Sequence, residues 1–539
     1  MTQNQATDQI RRSWWNRVVP VRLRHNLRLI LGSITALILV GVMLGSFQVR
    51  PIVFSQTEML PTITNNIEGN VDFFDLDIPH SVTLTVSDIA FDTMISDFKR
   101  FAEKTFVEVD AVIDGTLIRS VGIRLKGNST LMGLSGRRPG GGAPPGPAAA
   151  GSGEGTTPPE LTGSSAQGEQ VPPAAASEST ASETPAAPPF GVDPELMKKM
   201  FGLMGGVTDK DPSTLPLLLS FEEYFPGRAY QGRTELSLRP VAGGGASLNE
   251  ALTLQLIEDS SQISQRYTWV TFSINGGETR TRLVLENPNH NYASSIGMGR
   301  GVLYKSRNSN AFKYHGEDPI LYVEDFLQLN AIGSRDLAPV IRLLKWIDSA
   351  SDEEFDTELS QWIDVPSFAK YVVTQDLMGN FDDMAGPGRN FLLWYDLDDK
   401  KFTVINWDMN LALVGLGDVF KGPINAAAQR DKSTSADVTP KPLAAVGSEP
   451  EKPAAPPRAA PARQLHFGNT LKDRFTGSEA FSELIASTRV ELLESWFKSG
   501  HAVDVLLELS TSVPLSDKLS SEQISSQIAS LTETISNKQ

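Results

Sequence analysis

Read for its apolar and polar positions, the chain divides into β-periodic ribbons, helical stripes and stretches with no period at all. Three pairs of β-rich runs each flank a turn signal: 106–113 and 117–126 around Asp114-Gly115, 266–274 and 280–286 around Asn275-Gly276, and 391–395 and 402–407 around Asp398-Asp399-Lys400. Asp-Gly and Asn-Gly tolerate the positive φ of tight turns, and all three pairs predict hairpins. Further strands are predicted at 81–87 and 234–238. Apolar residues at helical spacing predict helices over 91–104, 248–258, 337–350, 365–378, 471–497 and 503–509. Ser247 and Glu250 read as a capping box for the second of these. Pro339 falls in the first turn of the third, where a missing N–H costs little. Trp346, Ile347, Phe368, Val372 and Val373 lie on apolar stripes and are assigned to the core.

Two stretches lack any period. Residues 137–189 hold Gly, Pro, Ala, Ser and Thr with almost no large apolar side chain, and 424–463 is rich in Pro, Ala, Lys and Glu. Neither can bury enough surface to offset the entropy of ordering, so both are expected to be disordered inserts. An amphipathic patch at 191–206 borders the first, and 511–539 reads as a polar, Ser-rich tail.

Residues 29–47 carry no charge and are long enough to cross a bilayer core of about 30 Å as a helix. Six Arg and one Asp precede them. That asymmetry predicts a signal-anchor with a cytoplasmic leader (1–28), a tether (48–79) and everything beyond on the outside of a bacterial-type cell membrane. No cysteine occurs, which excludes disulfides and thiolate metal sites. The net charge of −16 becomes about −21 once the leader is set aside, a sign that repels nucleic acid. The six His lack ligand spacing, so any metal would be a hard, oxygen-bound ion.

Candidate chemistry concentrates between Asn380 and Asn410. Asp382 and Asp383 precede a loop turned by Gly386, Pro387 and Gly388; Asn390 opens the third hairpin and Asp408 follows it. Closing the hairpin brings Asn390 beside Asp408. Asp, loop, Asn, hairpin, Asp is the order of a phosphoryl-transfer site, in which one carboxylate orients the attacking hydroxyl while an amide and a second carboxylate hold a divalent metal. Solvated turn residues produce the same pattern, and the pattern alone leaves both readings open.

With these residues in view, the chain resembles the CotH family of atypical protein kinases. The family motifs stand here as Arg124-Leu125-Lys126-Gly127-Asn128-Ser129-Thr130, Leu303-Tyr304-Lys305, Asn380-Phe381-Asp382, Asn390 and Trp407-Asp408-Met409-Asn410, over roughly residues 80–500. Three departures are visible: Asn410 replaces a usual Asp, a long insert follows Thr130, and 215–225 lacks the usual basic segment.

The resemblance implies an α+β, bilobal atypical protein-kinase-like fold, with a sheet-rich nucleotide lobe at 80–330 and a helical catalytic lobe at 331–510. It implies ATP with Mg²⁺ or Mn²⁺ as cofactors. Asp382 is then the catalytic base, with Asp383 as second choice, and Asn390 and Asp408 are metal ligands. Arg124, Lys126, Glu286, Lys305 and Trp407 would contact the nucleotide. The expected partner is a protein of the cell envelope phosphorylated on Ser or Thr. Two other classes stay open, an inactive kinase-shaped scaffold and a different nucleotide-dependent transferase.

Overall fold

The computed structural model describes residues 62–127, 129–131, 134, 207–240, 245–307, 312–330, 336–415 and 468–538, all within the compact unit Glu58–Gln539. The expected membrane helix at 29–47, both inserts and the 191–206 patch lie outside them. Among the described residues no helix is long and apolar enough to cross a membrane.

Thirteen strands occur among the described residues: β1 (Asn65–Ile67), β2 (His80–Thr85), β3 (Val107–Ile113), β4 (Thr116–Leu125), β5 (Leu217–Ser220), β6 (Arg228–Tyr230), β7 (Glu235–Leu238), β8 (Tyr267–Ile274), β9 (Arg280–Glu286), β10 (Gly301–Ser306), β11 (Phe326–Gln328), β12 (Phe391–Asp396) and β13 (Phe402–Asn406). The helices that matter here are α1 (Asp88–Phe101), α2 (Leu248–Asp259), α3 (Ala338–Ser349), α4 (Asp352–Trp362), α5 (Val365–Met378), α6 (Thr470–Gly477), α7 (Ser482–Leu492), α8 (His501–Thr511) and α9 (Ser521–Ser536). The content is α+β.

Seven strands close a barrel in the order β2-β3-β4-β5-β7-β9-β8, sealed by a parallel pairing of β2 with β8. Alternation explains it. On β3 the residues Val107, Val109, Ala111 and Ile113 point inward with Ile123, Leu125, Leu217, Leu236 and Phe272, forming a barrel core. On β8 and β9 both faces are apolar, so Tyr267, Trp269, Leu283 and Leu285 look outward and pack on Leu252 and Leu256 of α2.

A second, antiparallel sheet has the order β11-β10-β12-β13. Val302, Tyr304, Phe391 and Leu393 on one face pack against α3, α4 and α5, while Leu303, Leu392, Trp394 and Trp407 fill the other. All three predicted hairpins form. β10 and β11, which precede the boundary expected near 330, pair within the sheet of β12 rather than joining the barrel. Helix α1 begins three residues earlier than predicted, with the Ser87 side chain accepting the N–H of Ala90 as its cap.

Two further expectations are corrected. Ser247 sits in the left-handed region at φ 55° and makes no side-chain cap, so the capping box at α2 does not exist. The tail expected to be polar contains α9, whose Ile524, Leu531 and Ile535 complete the core around α2 and Trp496.

Candidate functional site

The third hairpin sets the geometry. Its register pairs Phe391 with Asn406, so Asn390 and the Trp407-Asp408 segment emerge at one end. Helix α5 stops at Gly379, left-handed at φ 63°, and the chain turns into Asn380. There a chain of amides ties the pieces together. Asn380 Nδ2 donates to Gln375 Oε1 at 2.8 Å, Gln375 Nε2 to Asn406 Oδ1 at 2.8 Å, and Asn406 Nδ2 to Gln262 Oε1 at 3.2 Å. Buried and satisfied, such a network fixes the loop against the hairpin end. The Asn380 Oδ1 atom also accepts the N–H of Asp382 at 3.3 Å.

Asp382 is held from two sides: the Gly388 N–H donates to Oδ1, and Asn390 Nδ2 donates to Oδ2 at 3.0 Å. Burial pushes its carboxyl up to about 7; the Gly388 N–H opposes this, and the charges of Asp408 and Asp383 add to it. A carboxylate poised near neutrality can serve as a proton acceptor at ordinary pH. Asn390 thus contacts Asp382 rather than Asp408, while the two carboxylates sense each other across the site.

The loop around Asp382 depends on absent side chains. A Cβ at Gly386 would overlap the Phe381 carbonyl oxygen and Asp382 Cα, both backbone atoms. At Gly388 it would meet only the ends of Asp382 and Asn390, which can turn aside. Gly386→Ala is therefore expected to lose about 1–3 kcal/mol in urea unfolding, and Gly388→Ala well under half of that. Equal losses would show that the loop is not built around Gly386.

Asp408 adopts φ 60° and ψ 60° just after β13, and this aims its side chain at a residue the sequence reading missed. Arg239, directly after β7, forms an ion pair with Asp408 Oδ1 at 2.6 Å. The same guanidinium grips Glu250 of α2 through both carboxylate oxygens, with Nε to Oε2 at 2.9 Å. Glu250 is 1% exposed, and burying a charge on an apolar helix is tolerable only when it is paired. That was the available signal: a carboxylate in the middle of LNEALTLQL requires a cation.

Cations gather above Asp408. The Lys305 and Lys126 ammoniums stand 4.7 and 5.5 Å from the centre of the Trp407 ring, which is core on one side and a cation platform on the other. Lys126 also donates to Asn287 Oδ1 at 2.6 Å. Burial depresses the Lys126 ammonium well below its usual range, with Lys305 and Arg239 adding to the effect. Lys305 is lowered mainly by burial. Lys104, also unforeseen, is pushed down to about 8 by burial and by Arg124 and Lys305. Arg124 stands near the end of β4, two residues before Lys126, its guanidinium 5.1 Å from the Phe106 ring centre. Burial pushes the Asp408 carboxyl up, but Arg239, Lys126 and Lys305 outweigh it and hold the group below its ordinary value. Crowded, desolvated cations of this kind fit a polyanion better than water.

Two expected residues point elsewhere. Asp383 is ion-paired with Lys472 of α6 and accepts the N–H of Ala385 at 2.8 Å, so its carboxylate anchors α6 under the loop. Glu286 is paired with Arg233 at 2.8 Å and opens onto a small cavity beyond Asn287. Asp382, Asn390 and Asp408 are hard oxygen donors suited to Mg²⁺ or Mn²⁺. Among the described residues no group of three His, Cys, Asp or Glu forms a cage. The protein would contribute a few ligands and leave the rest to phosphate oxygens and water.

A family model described as CotH kinase protein matches residues 206–499, more than half of the chain. It takes in Arg239, Glu250, Lys305, Asp382, Asn390 and Asp408, and begins after Arg124 and Lys126. No curated protein matches the chain.

Proposed function

Because this chain belongs to the CotH kinase family, we propose that it transfers the γ-phosphoryl group of ATP to a Ser or Thr hydroxyl of a protein, with its nucleotide cradled between the barrel and the second sheet as between two lobes. The observation that carries the proposal is the junction at Asp408. One carboxylate is held in an ion pair with Arg239 beneath Lys126 and Lys305, a short loop away from a second carboxylate near neutral pKa. Asp382 takes the proton of the attacking hydroxyl, and Asn390 keeps it oriented. Lys126, Lys305 and Arg239, with Arg124 and Lys104 behind them, neutralise the phosphate oxygens. Asp408 and Asn390 would hold Mg²⁺ or Mn²⁺, which supplies further neutralisation of the phosphates when bound.

Phosphate binding should take up protons. Lys126 is depressed in the free protein, and an anion raises it back, so affinity for ATP falls as pH rises through the lysine's value in the complex. Titrating Mn²⁺·ATP by calorimetry in buffers of different ionisation enthalpy measures this uptake; proton release would contradict it.

The sequence further supports a membrane-anchored protein working outside the cytoplasm, through the helix expected at 29–47 and the arginines before it. The partner would then be a protein of the cell envelope. Incubating the full chain with γ-labelled ATP, Mn²⁺ and an envelope protein fraction tests the activity, followed by mass spectrometry of the modified protein. A phosphoryl adduct on Ser or Thr supports the proposal. A nucleotidyl or amino-acid adduct would assign another transferase to the same site, and no adduct would assign a scaffold, the reading favoured by Asn410.

A further inference from the structure

Helix α9 lies beyond residues 206–499, the span of the CotH family model, yet it supports the start of α2. A capping box of Ser520 and Gln523 opens it, and the segment just before is stapled to the β8–β9 turn. There Asp517 accepts the N–H and the hydroxyl of Thr279 at 2.8 and 2.9 Å, and Lys518 pairs with Glu278 at 2.6 Å. Ile524, Leu531 and Ile535 bury one face of α9 in the core that holds Ala246, Leu248 and Leu252.

From this anchored helix, Gln527 Oε1 accepts the N–H of Ala246 at 3.0 Å. The Ala246 carbonyl accepts the indole N–H of Trp269 at 2.7 Å. Both backbone groups of a residue that is 1% exposed are thus satisfied from other elements. Gly245 leaves room for the contact, since a Cβ there would stand 2.9 Å from Gln527 Oε1. Next comes Ser247, left-handed at φ 55° and without a side-chain cap, while Glu250 is turned away to Arg239. Helix α2 therefore has its start fixed by α9 and β8 rather than by a cap of its own.

Two residues at that start act on Asp408. Asn249 Nδ2 donates to the carbonyls of Asn410 and Ala412, both at 2.9 Å, and pins the turn that follows Asp408. Glu250 grips Arg239, which pairs with Asp408. We propose that Gln527 is a positioning residue for Asp408, acting through Ala246 on Asn249 and Glu250, so that α9 couples the C-terminal segment to the site. This rests on the reading of Asp408 as the metal–phosphate junction. Such a junction tolerates about 0.5 Å of misplacement, so a small shift of α2 is enough to weaken it.

Calorimetry with Mn²⁺·ATP on the full chain, well below every melting transition, tests the coupling. Gln527→Met keeps the length and removes the acceptor, and is expected to weaken binding by about three- to tenfold. Gly245→Ala, which displaces the same amide from the other side, should reproduce that loss. Gln527→Glu keeps an acceptor oxygen and should bind within about twofold of wild type. Ile535→Ala, at the far end of α9, should lower the melting temperature more than Gln527→Met and leave the affinity unchanged. Normal binding by Gln527→Met and Gly245→Ala overturns the coupling and leaves the phosphate site standing. An equal loss in Gln527→Glu or in Ile535→Ala does the same. A wild type that fails to bind Mn²⁺·ATP overturns the reading of Asp408 and this inference with it.

Discussion

Asp382→Asn is expected to reduce phosphoryl transfer by about 10²- to 10⁴-fold while making the metal-free protein more stable at pH 8. The loss follows from removing the proton acceptor while keeping its shape. The gain in stability follows from the same burial. In the fold this carboxyl titrates at about 7, above its ordinary value of 3.8, so the folded state holds a proton that the unfolded chain has already released. The associated stability is complete below the unfolded value and disappears as pH rises through 7. Moving a carboxyl from 3.8 to about 7 costs at most about 4 kcal/mol, and less here because the side chain keeps some solvent contact. Asparagine escapes this cost. Thermal melts of both proteins in chelator should show a larger increment for the variant at pH 8 than at pH 5. An equal increment at both values would mean that Asp382 is not perturbed as described.

Glu250→Ala should cost about 3–5 kcal/mol in urea unfolding and abolish nucleotide binding together with it. The substitution leaves Arg239 buried with only Asp408 to balance it, and Asp408 loses its fixed orientation. Replacing the pair outright, as Arg239→Met with Glu250→Leu, is expected to recover most of the stability because no charge is stranded. It should not recover phosphoryl transfer, since Asp408 then lacks its clamp. If the double variant regains activity along with stability, the Arg239–Glu250 pair is a structural strut and plays no part in the site.

Local features were legible because local chemistry decides them. Asp114-Gly115 and Asn275-Gly276 announce their hairpins, and the aromatic runs at 391–395 and 402–407 leave only one way to bury Phe391 opposite Asn406. That register places Asn390 and the Trp407-Asp408 segment at one end, whereas the contact of Asn390 with Asp382 rather than Asp408 depends on the loop between them. What depends on pairing between distant segments was hidden. Barrel closure needs His80 opposite Val270, and no short-range signal encodes that contact. The different surroundings of Asp382 and Asp383 depend on Lys472, far along the chain, which pairs with Asp383. Glu250 was misread as a cap because Ser-x-x-Glu looks the same whether its carboxylate turns back to the helix end or across to Arg239. Helix α9 was obscured by its serines, although Ile524, Ile528, Leu531 and Ile535 carry the spacing of a helical stripe.

All of these assignments converge on Asp408 as the point where protein, cation and phosphate would meet. Electron paramagnetic resonance of Mn²⁺ titrated into the full chain, with and without ATP, can see that junction form. Wild type should hold Mn²⁺ tightly only when ATP is present, and Asp408→Asn should weaken it by more than about tenfold while the fold melts normally. Mn²⁺ held equally well by Asp408→Asn, or bound without regard to ATP, would contradict the site.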